Sequence, residues 1–384
     1  GIGSVVASGT ILNSYYPGTA SAARGATRIS VGTRNLAGST NNISPGDLLL
    51  VIQMQGSTIN STNSTAYGSG GSGFSGYLTT VAGTFEYVYA MSAVISGTVY
   101  IANPLKNAYT NADATATAGQ YRFQVVRVPQ YSSLNIAVSA SITNAEWNGS
   151  SGGVIAANIS GTTTFNGGIA ITASNLGFRG GGGRQLGGGS GATTDAITLS
   201  SNNANASKGE GIAGTPKYTR SLAGTLVDNG AEGYPNGSYA QGAPGNAGGG
   251  GTDGNIPSND ENTGGGGGGN GGAGGRGGRA WNDPAQFGGY GGAVFTQASA
   301  TRLVMGGGGG AGTTNNGTAE GGGANVSVNN GFNSSGGSGG GMIFLKTGSV
   351  SGTGTINANG ANGLGVDNDG GGAGGAGGSV YFYS

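Results

Sequence analysis

The side chains that usually carry protein chemistry are scarce in this chain. Histidine and cysteine are absent. Acyl-transfer machinery with an imidazole base is therefore excluded, as are disulfides, thiolate zinc sites and Fe–S clusters. Carboxylate pairs could still run acid–base chemistry. The candidates are Asp260 with Glu261, Asp367 with Asp369, and Glu210. The first pair lies in a polar stretch with no sign of a desolvated cleft, and reads as solvated loop carboxylates. Asp367-Asn368-Asp369-Gly370 alternates oxygen ligands ahead of a glycine, as a calcium loop does. The later bidentate acid is missing, so a turn before a glycine tract is the better reading. A carbohydrate lyase would need acids clustered on one sheet face, and none is visible. Catalytic residues and cofactors are not expected.

Two other groups of residues suit binding. Long inserts at 192–247, 279–287 and 313–335 hold Tyr218, Tyr234, Tyr239, Trp281 and Phe287, with Tyr290 just beyond, among Ser, Asn and Gly. This mixture gives rigid contact area beside adaptable polar groups, and aromatic faces suit sugar rings. The same residues could instead plug the edge of a glycine-rich region. The second group is the segment Gly1–Tyr16. Ile2, Val6 and Leu12 can face one way, and Val5, Ala7 and Ile11 the other. Paired with a neighbouring subunit, such a strand would be donated by β-augmentation, and a head-to-tail contact that does not close gives a filament. Paired within its own chain, it is an ordinary first strand.

Lys plus Arg number 15 and so do Asp plus Glu. A chain without net charge has little long-range pull on phosphate, which argues against nucleic acid. Charged residues total 8% against a usual ~25%, and a low-charge surface resists self-association poorly. The longest apolar run, Leu48 to Ile52, is far short of the ~20 residues of a bilayer span. A first residue of Gly rather than Met fits removal of a leader such as a secretory signal.

Of the 91 glycines, 23 fall in residues 1–176 and 68 in residues 177–384. The first part reads as short strands at Thr27–Val31, Asp47–Gln55, Thr84–Ala90, Val94–Ile101, Tyr121–Val128 and Leu134–Ile142, with Ser57–Gly76 a long loop. A weak repeat follows. Residues 152–171 and 340–358 each give a short apolar strand, a Gly/Thr turn and a second strand, as rungs of a β-solenoid do. The glycine tracts include 180–183, 187–191, 248–251, 264–278, 288–292, 306–312, 336–341 and 370–378. Ala273, Arg276 and Arg279 recur every third residue, as do Ala373, Ala376 and Ser379. A polyproline-II-type helix has three residues per turn. Its Gly-Gly faces stay bare, so backbones could approach until N–H meets C=O.

Several of these stretches carry a resemblance. Gly46 to Gly56 (GDLLLVIQMQG), Arg127 to Ser132 (RVPQYS), Trp147 to Val154 (WNGSSGGV) and Phe178-Arg179-Gly180-Gly181 resemble motifs of large secreted surface proteins of gliding and other Gram-negative bacteria. The likeness covers roughly residues 10–185. It implies an exported, non-enzymatic surface or adhesive role. By architecture alone, the second half resembles phage tail-fibre tip adhesins and glycine-rich antifreeze proteins. In the phage adhesins, loops between packed glycine helices contact the receptor.

The expectation is an all-β fold plus polyglycine II. Residues 1–150 form a β-sandwich or barrel; residues 151–384 form a short solenoid-like transition and then a lattice of packed polyglycine II helices. The expected function is an extracellular, self-assembling filament subunit joined by N-terminal strand donation, with itself as partner. The alternative is a receptor- or glycan-binding tip.

Overall fold

The structure, a computed structural model, describes residues 1–187, 193–258, 260–315, 332–366 and 369–384. It is almost all β, with 33% strand and 1% helix, which meets the all-β part of the expectation. No helix among the described residues is long and apolar enough to cross a membrane.

The architecture rests on three groups of strands. The chain begins with β1 (Ile2–Val5), β2 (Thr10–Ile11) and β3 (Ser14–Pro17). After these come β4 (Leu48–Gln55), β5 (Phe85–Tyr89) and β6 (Arg122–Val128). Short strands β7 (Gln130–Tyr131), β8 (Ser133–Ile136) and β9 (Ile142–Thr143) lead to β10 (Val154–Ile159) and β11 (Thr162–Thr172). The last are β12 (Met342–Lys346), β13 (Ser349–Asn357) and β14 (Ser379–Tyr383).

One sheet is antiparallel, in the order β3-β6-β4-β5. The other two are parallel stacks. In the first, β1, β8, β11 and β13 lie side by side, with β2 and β9 alongside. In the second the order is β7, β10, β12, β14. Each turn of chain adds one rung. Rung one holds β1 and β2, rung two β7 to β9, rung three β10 and β11, rung four β12 and β13, and rung five β14. The two arms of the sequence repeat are thus neighbours: Val154 pairs with Met342, Ile155 with Ile343 and Ile171 with Ile356.

Burial explains the sequence of each layer. Strands covered on both faces read as unbroken apolar runs rather than alternations. Along the second stack, Val154, Ala156, Met342 and Phe344 share a cluster with Leu50, Ile52, Trp147 and Phe178. Their neighbours Ile155, Ala157, Ile343 and Leu345 share another with Leu134, Ile136 and Phe165 of the first stack. The second stack therefore lies between the other two sheets. Strand β4 is buried along its whole length, because Leu49 and Val51 face a further cluster with Ile29, Val99 and Tyr109.

Three expectations need correction. Val94–Ile101 is not one strand; Ser96 and Gly97 turn with φ 46° and 74°, and the strand is Thr98–Tyr100. Leu134–Ile142 is not one strand; Ser139 turns with φ 69° between β8 and β9. The expected loop Ser57–Gly76 carries two short ladders, Ser57–Thr58 with Thr79–Thr80 and Ser75–Gly76 with Ala243–Pro244.

The glycine tracts feed the rungs. Residues 336–341 run into β12, and residues 370–378 into β14. The N–H groups of Gly337 and Gly340 donate to Ala373 and Ala376 at 2.8 and 2.9 Å, so strand-to-strand contact continues as tract-to-tract contact. Bonds recur at every third residue elsewhere too: Gly289 donates to Gly264 at 3.0 Å and Gly292 to Gly267 at 2.8 Å. No described tract glycine has positive φ, so backbone licence is not what glycine supplies here. It supplies space. A Cβ on Gly310 would overlap the Gly249 carbonyl, and one on Gly339 the Gly306 carbonyl.

Candidate functional site

The N-terminal residues form rung one of the first stack. Strand β1 pairs in parallel with β8 of its own chain, Gly3 opposite Leu134 and Val5 opposite Ile136. Val5 and Leu12 are buried, and Ile11 is half-buried. Ile2 is 82% exposed and Val6 77%, and Ala7 is exposed too. Leu12 does not side with Ile2 and Val6 as expected, because Gly9 turns with φ 72° and resets the alternation. The outer edge of β1 has no strand partner among the described residues.

At the opposite end of the same stack β13 is also an edge. Its residues Ser349–Thr355 are all exposed. Hydroxyls bind it to the rung beneath: Thr162 Oγ1 to Ser349 Oγ at 2.8 Å and Thr164 Oγ1 to Ser351 Oγ at 2.9 Å. The registers define columns through the stack. Gly3, Leu134, Thr163 and Val350 form one; Ser4, Asn135, Thr164 and Ser351 the next; Val5, Ile136, Phe165 and Gly352 a third.

The six insert aromatics separate into buried and exposed sets. Tyr234 and Tyr239 are buried, which corrects their assignment to a ligand surface. Each hydroxyl has a partner inside the fold: Tyr234 donates to the Gly209 carbonyl at 2.6 Å, and Tyr239 accepts from Arg184 Nη1 at 3.1 Å. Burial pushes the Tyr239 phenol up to about 12. Tyr218 is half-buried, under the Arg184 guanidinium at 4.3 Å. Tyr290 is half-buried as well, and Phe287 is exposed. The Arg276 guanidinium sits 4.7 Å from the Phe287 ring and 4.0 Å from the Tyr290 ring, and Tyr290 stacks on Phe74 at 4.7 Å. This ladder of four groups lines a hollow of about 480 Å³. Trp281 is 85% exposed. Most of the insert 313–335 lies outside the described residues.

Three of the acidic candidates, Glu210, Asp369 and Asp260, are held by polar partners within the fold. Glu210 is fully buried, and both of its oxygens are committed. Its Oε2 accepts from Arg179 N and Nε, each at 2.9 Å. Its Oε1 accepts from Arg179 Nη2 at 3.0 Å, Trp147 Nε1 at 3.0 Å and Thr215 Oγ1 at 2.5 Å. This hub ties the Trp147 loop and the Phe178-Arg179 turn to the first glycine tract. Asp369 accepts from Asn262 Nδ2 at 2.9 Å and from the Thr314 hydroxyl. Asp367 lies outside the described residues. Asp260 accepts from Asn282 Nδ2 at 3.1 Å. Among the described residues no group of three or more acidic side chains could hold a metal ion.

Two buried charges escape the sequence reading. Lys208 is fully buried; its Nζ donates to the carbonyls of Ala196, Ala240 and Gly242 at 2.5, 3.0 and 2.6 Å, with the Tyr67 ring 4.6 Å away. Burial holds this amine well below the usual lysine range. Burial likewise pushes Asp253 up to about 6; the Asn255 N–H pulls back, and the carboxylates of Glu261, Asp369 and Asp260 push further. The tyrosine pairs Tyr87/Tyr89 and Tyr381/Tyr383 also escape it. Tyr87 and Tyr89 fall within the strand expected at Thr84–Ala90, but nothing in the sequence places them across from Tyr381 and Tyr383.

The chain matches no family model, no curated protein and no solved structure.

Proposed function

We propose that this chain is a non-enzymatic, extracellular surface protein that polymerises head to tail through the ends of its strand stacks. One observation carries the reading: the first parallel stack spans rungs one to four, and the second spans rungs two to five. A copy shifted by four rungs would set its β1 on β13 and its β7 on β14, leaving no gap in either sheet. Four strand spacings of ~4.8 Å give an axial repeat of roughly 19 Å.

The columns favour this joint. Extended across it, they set Val350 against Gly3 and Gly352 against Val5, large against small each time. They set Ser351 against Ser4, prolonging the hydroxyl column that starts at Thr164. A contact of this kind does not close on itself, so it propagates as a filament. The N-terminal strand then joins subunits by its outer edge while remaining in its own sheet, rather than by being donated.

The glycine-rich part fits a lattice of polyglycine II helices beside a β-sandwich and solenoid rungs. Three residues per turn matches bonds at every third residue, and bare faces match the close backbone approach. The low charge and the resemblance to secreted surface proteins support the extracellular setting.

Electron microscopy of the purified chain tests the reading: it predicts filaments with the ~19 Å repeat. The column places residue 2 opposite residue 349. Ile2→Lys with Ser349→Lys should therefore stay monomeric, and Ile2→Lys with Ser349→Glu should polymerise again. Single particles from the unmodified chain would overturn it.

A second reading, a receptor-binding tip, is favoured by the exposed Trp281 and the Arg276 ladder. Trp281→Ala with Phe287→Ala should then abolish cell binding at an unchanged melting temperature. Unchanged binding removes that reading.

A further inference from the structure

An open groove of about 870 Å³ lies between β5 and β14, within the size range of ligand sites. Both strands are sheet edges. Tyr87 and Tyr89 stand two residues apart on β5, and Tyr381 and Tyr383 two apart on β14, so each pair projects from one face of its strand. Phe85 and Phe344 lie between the pairs, their rings 4.9 Å apart at 70°; Phe344 and Tyr381 are 6.5 Å apart. The groove is aromatic along its length, and Tyr383 at its rim is 57% exposed.

The charges that line it are unevenly engaged. Glu86, the one acidic residue, is buried; its carboxylate accepts from Lys106 N–H, Asn107 N–H and the Tyr109 hydroxyl at 2.9, 2.9 and 3.2 Å. Arg302 is pinned by the Ala82 carbonyl at 2.9 Å and by the Thr80 carbonyl. Lys106 and Lys346 are exposed, and neither ammonium pairs with a carboxylate among the described residues. The free charge of the groove is therefore positive.

A peptide strand is a poor occupant. The outer edge of β5 is stoppered at both ends: Phe85 N–H donates to the Thr301 carbonyl at 3.3 Å, and Ala102 N–H donates to the Tyr89 carbonyl at 2.9 Å. Ring faces and two ammonium groups remain on offer. We propose that this groove binds an acidic oligosaccharide, its sugar rings lying on Tyr87, Tyr89, Tyr381 and Tyr383 and its carboxylates meeting Lys106 and Lys346. The proposal does not depend on polymerisation.

Calorimetry on the full chain tests it, with tetragalacturonate as probe and uncharged maltotetraose as control. Binding of the acidic probe, weakening as salt rises, is expected. Tyr383→Ala should weaken it roughly five- to tenfold. Lys106→Gln and Lys346→Gln should each weaken it roughly two- to fivefold and flatten the salt dependence. These side chains are exposed, and an unchanged melting curve would separate lost contact from lost fold. Equal affinity for the uncharged control, no binding of either sugar, or binding indifferent to Tyr383→Ala would each overturn the proposal.

Discussion

The strand stacks and the glycine tracts solve one problem by opposite means. In the stacks, aliphatic and aromatic side chains fill the space between sheets; Ile343 and Phe344, neighbours on β12, point into two different clusters. In the tracts few side chains, such as those of the buried Ala311 and Ser338, fill any space. Backbones lie against backbones, and Gly249 receives Gly266 N–H at 2.8 Å while donating to Tyr290 at the same distance. One region excludes water with what its residues carry, the other with what its residues lack. Substituting in the stacks should therefore harm by removing atoms, and in the tracts by adding them.

The largest expected effect lies where the two regions are tied. Glu210→Gln leaves the buried Arg179 guanidinium without its counter-charge, and should cost about 3–5 kcal/mol in chemical denaturation. Within the stacks, Ile343→Ala should cost ~2–5 kcal/mol. Within the tracts, Gly310→Ala should cost roughly 1–3 kcal/mol although it adds a single methyl, because the new atom meets the Gly249 carbonyl.

A pH series separates a further contribution. The folded Asp253 holds its proton up to about 6, above its ordinary value of 3.8. The folded state thus binds the proton more tightly than the unfolded chain. Its share of stability is complete below about pH 4 and is lost as pH rises through 6. Asp253→Asn should flatten that slope by about 1–2 kcal/mol between pH 4 and 7, read by thermal melts. The smallest effect sharpens the contrast most. A Cβ added to Gly275 would meet nothing within 4 Å, and the backbone there keeps negative φ. Gly275→Ala should be neutral or stabilise by ~0.4–1 kcal/mol, opposite in sign to Gly310→Ala.

Much of the strand content was legible because it is local. The apolar run of β4 and the alternation of β5 and β6 announce themselves within a few residues. The repeat was legible as two similar segments, and they prove to be neighbouring rungs. What could not be read was which distant pieces meet. Strand β1 pairs with β8, over a hundred residues along the chain, and edge strands carry no mark of their partner. The insert tyrosines show the same limit. Tyr among Ser, Asn and Gly has one composition whether it meets a ligand or is buried; Tyr234 is settled by the Gly209 carbonyl it finds. Trp281 is exposed, and Phe287 lies at the surface beneath the Arg276 guanidinium.

Amide hydrogen exchange on the native chain tests the central contrast most directly. If bare backbones form a true interior, Gly307, Gly310, Gly337 and Gly340 should exchange as slowly as Ile155 and Ile343 in β10 and β12. Exchange of those glycines at the rate of an unfolded chain, with the strands still protected, would contradict it.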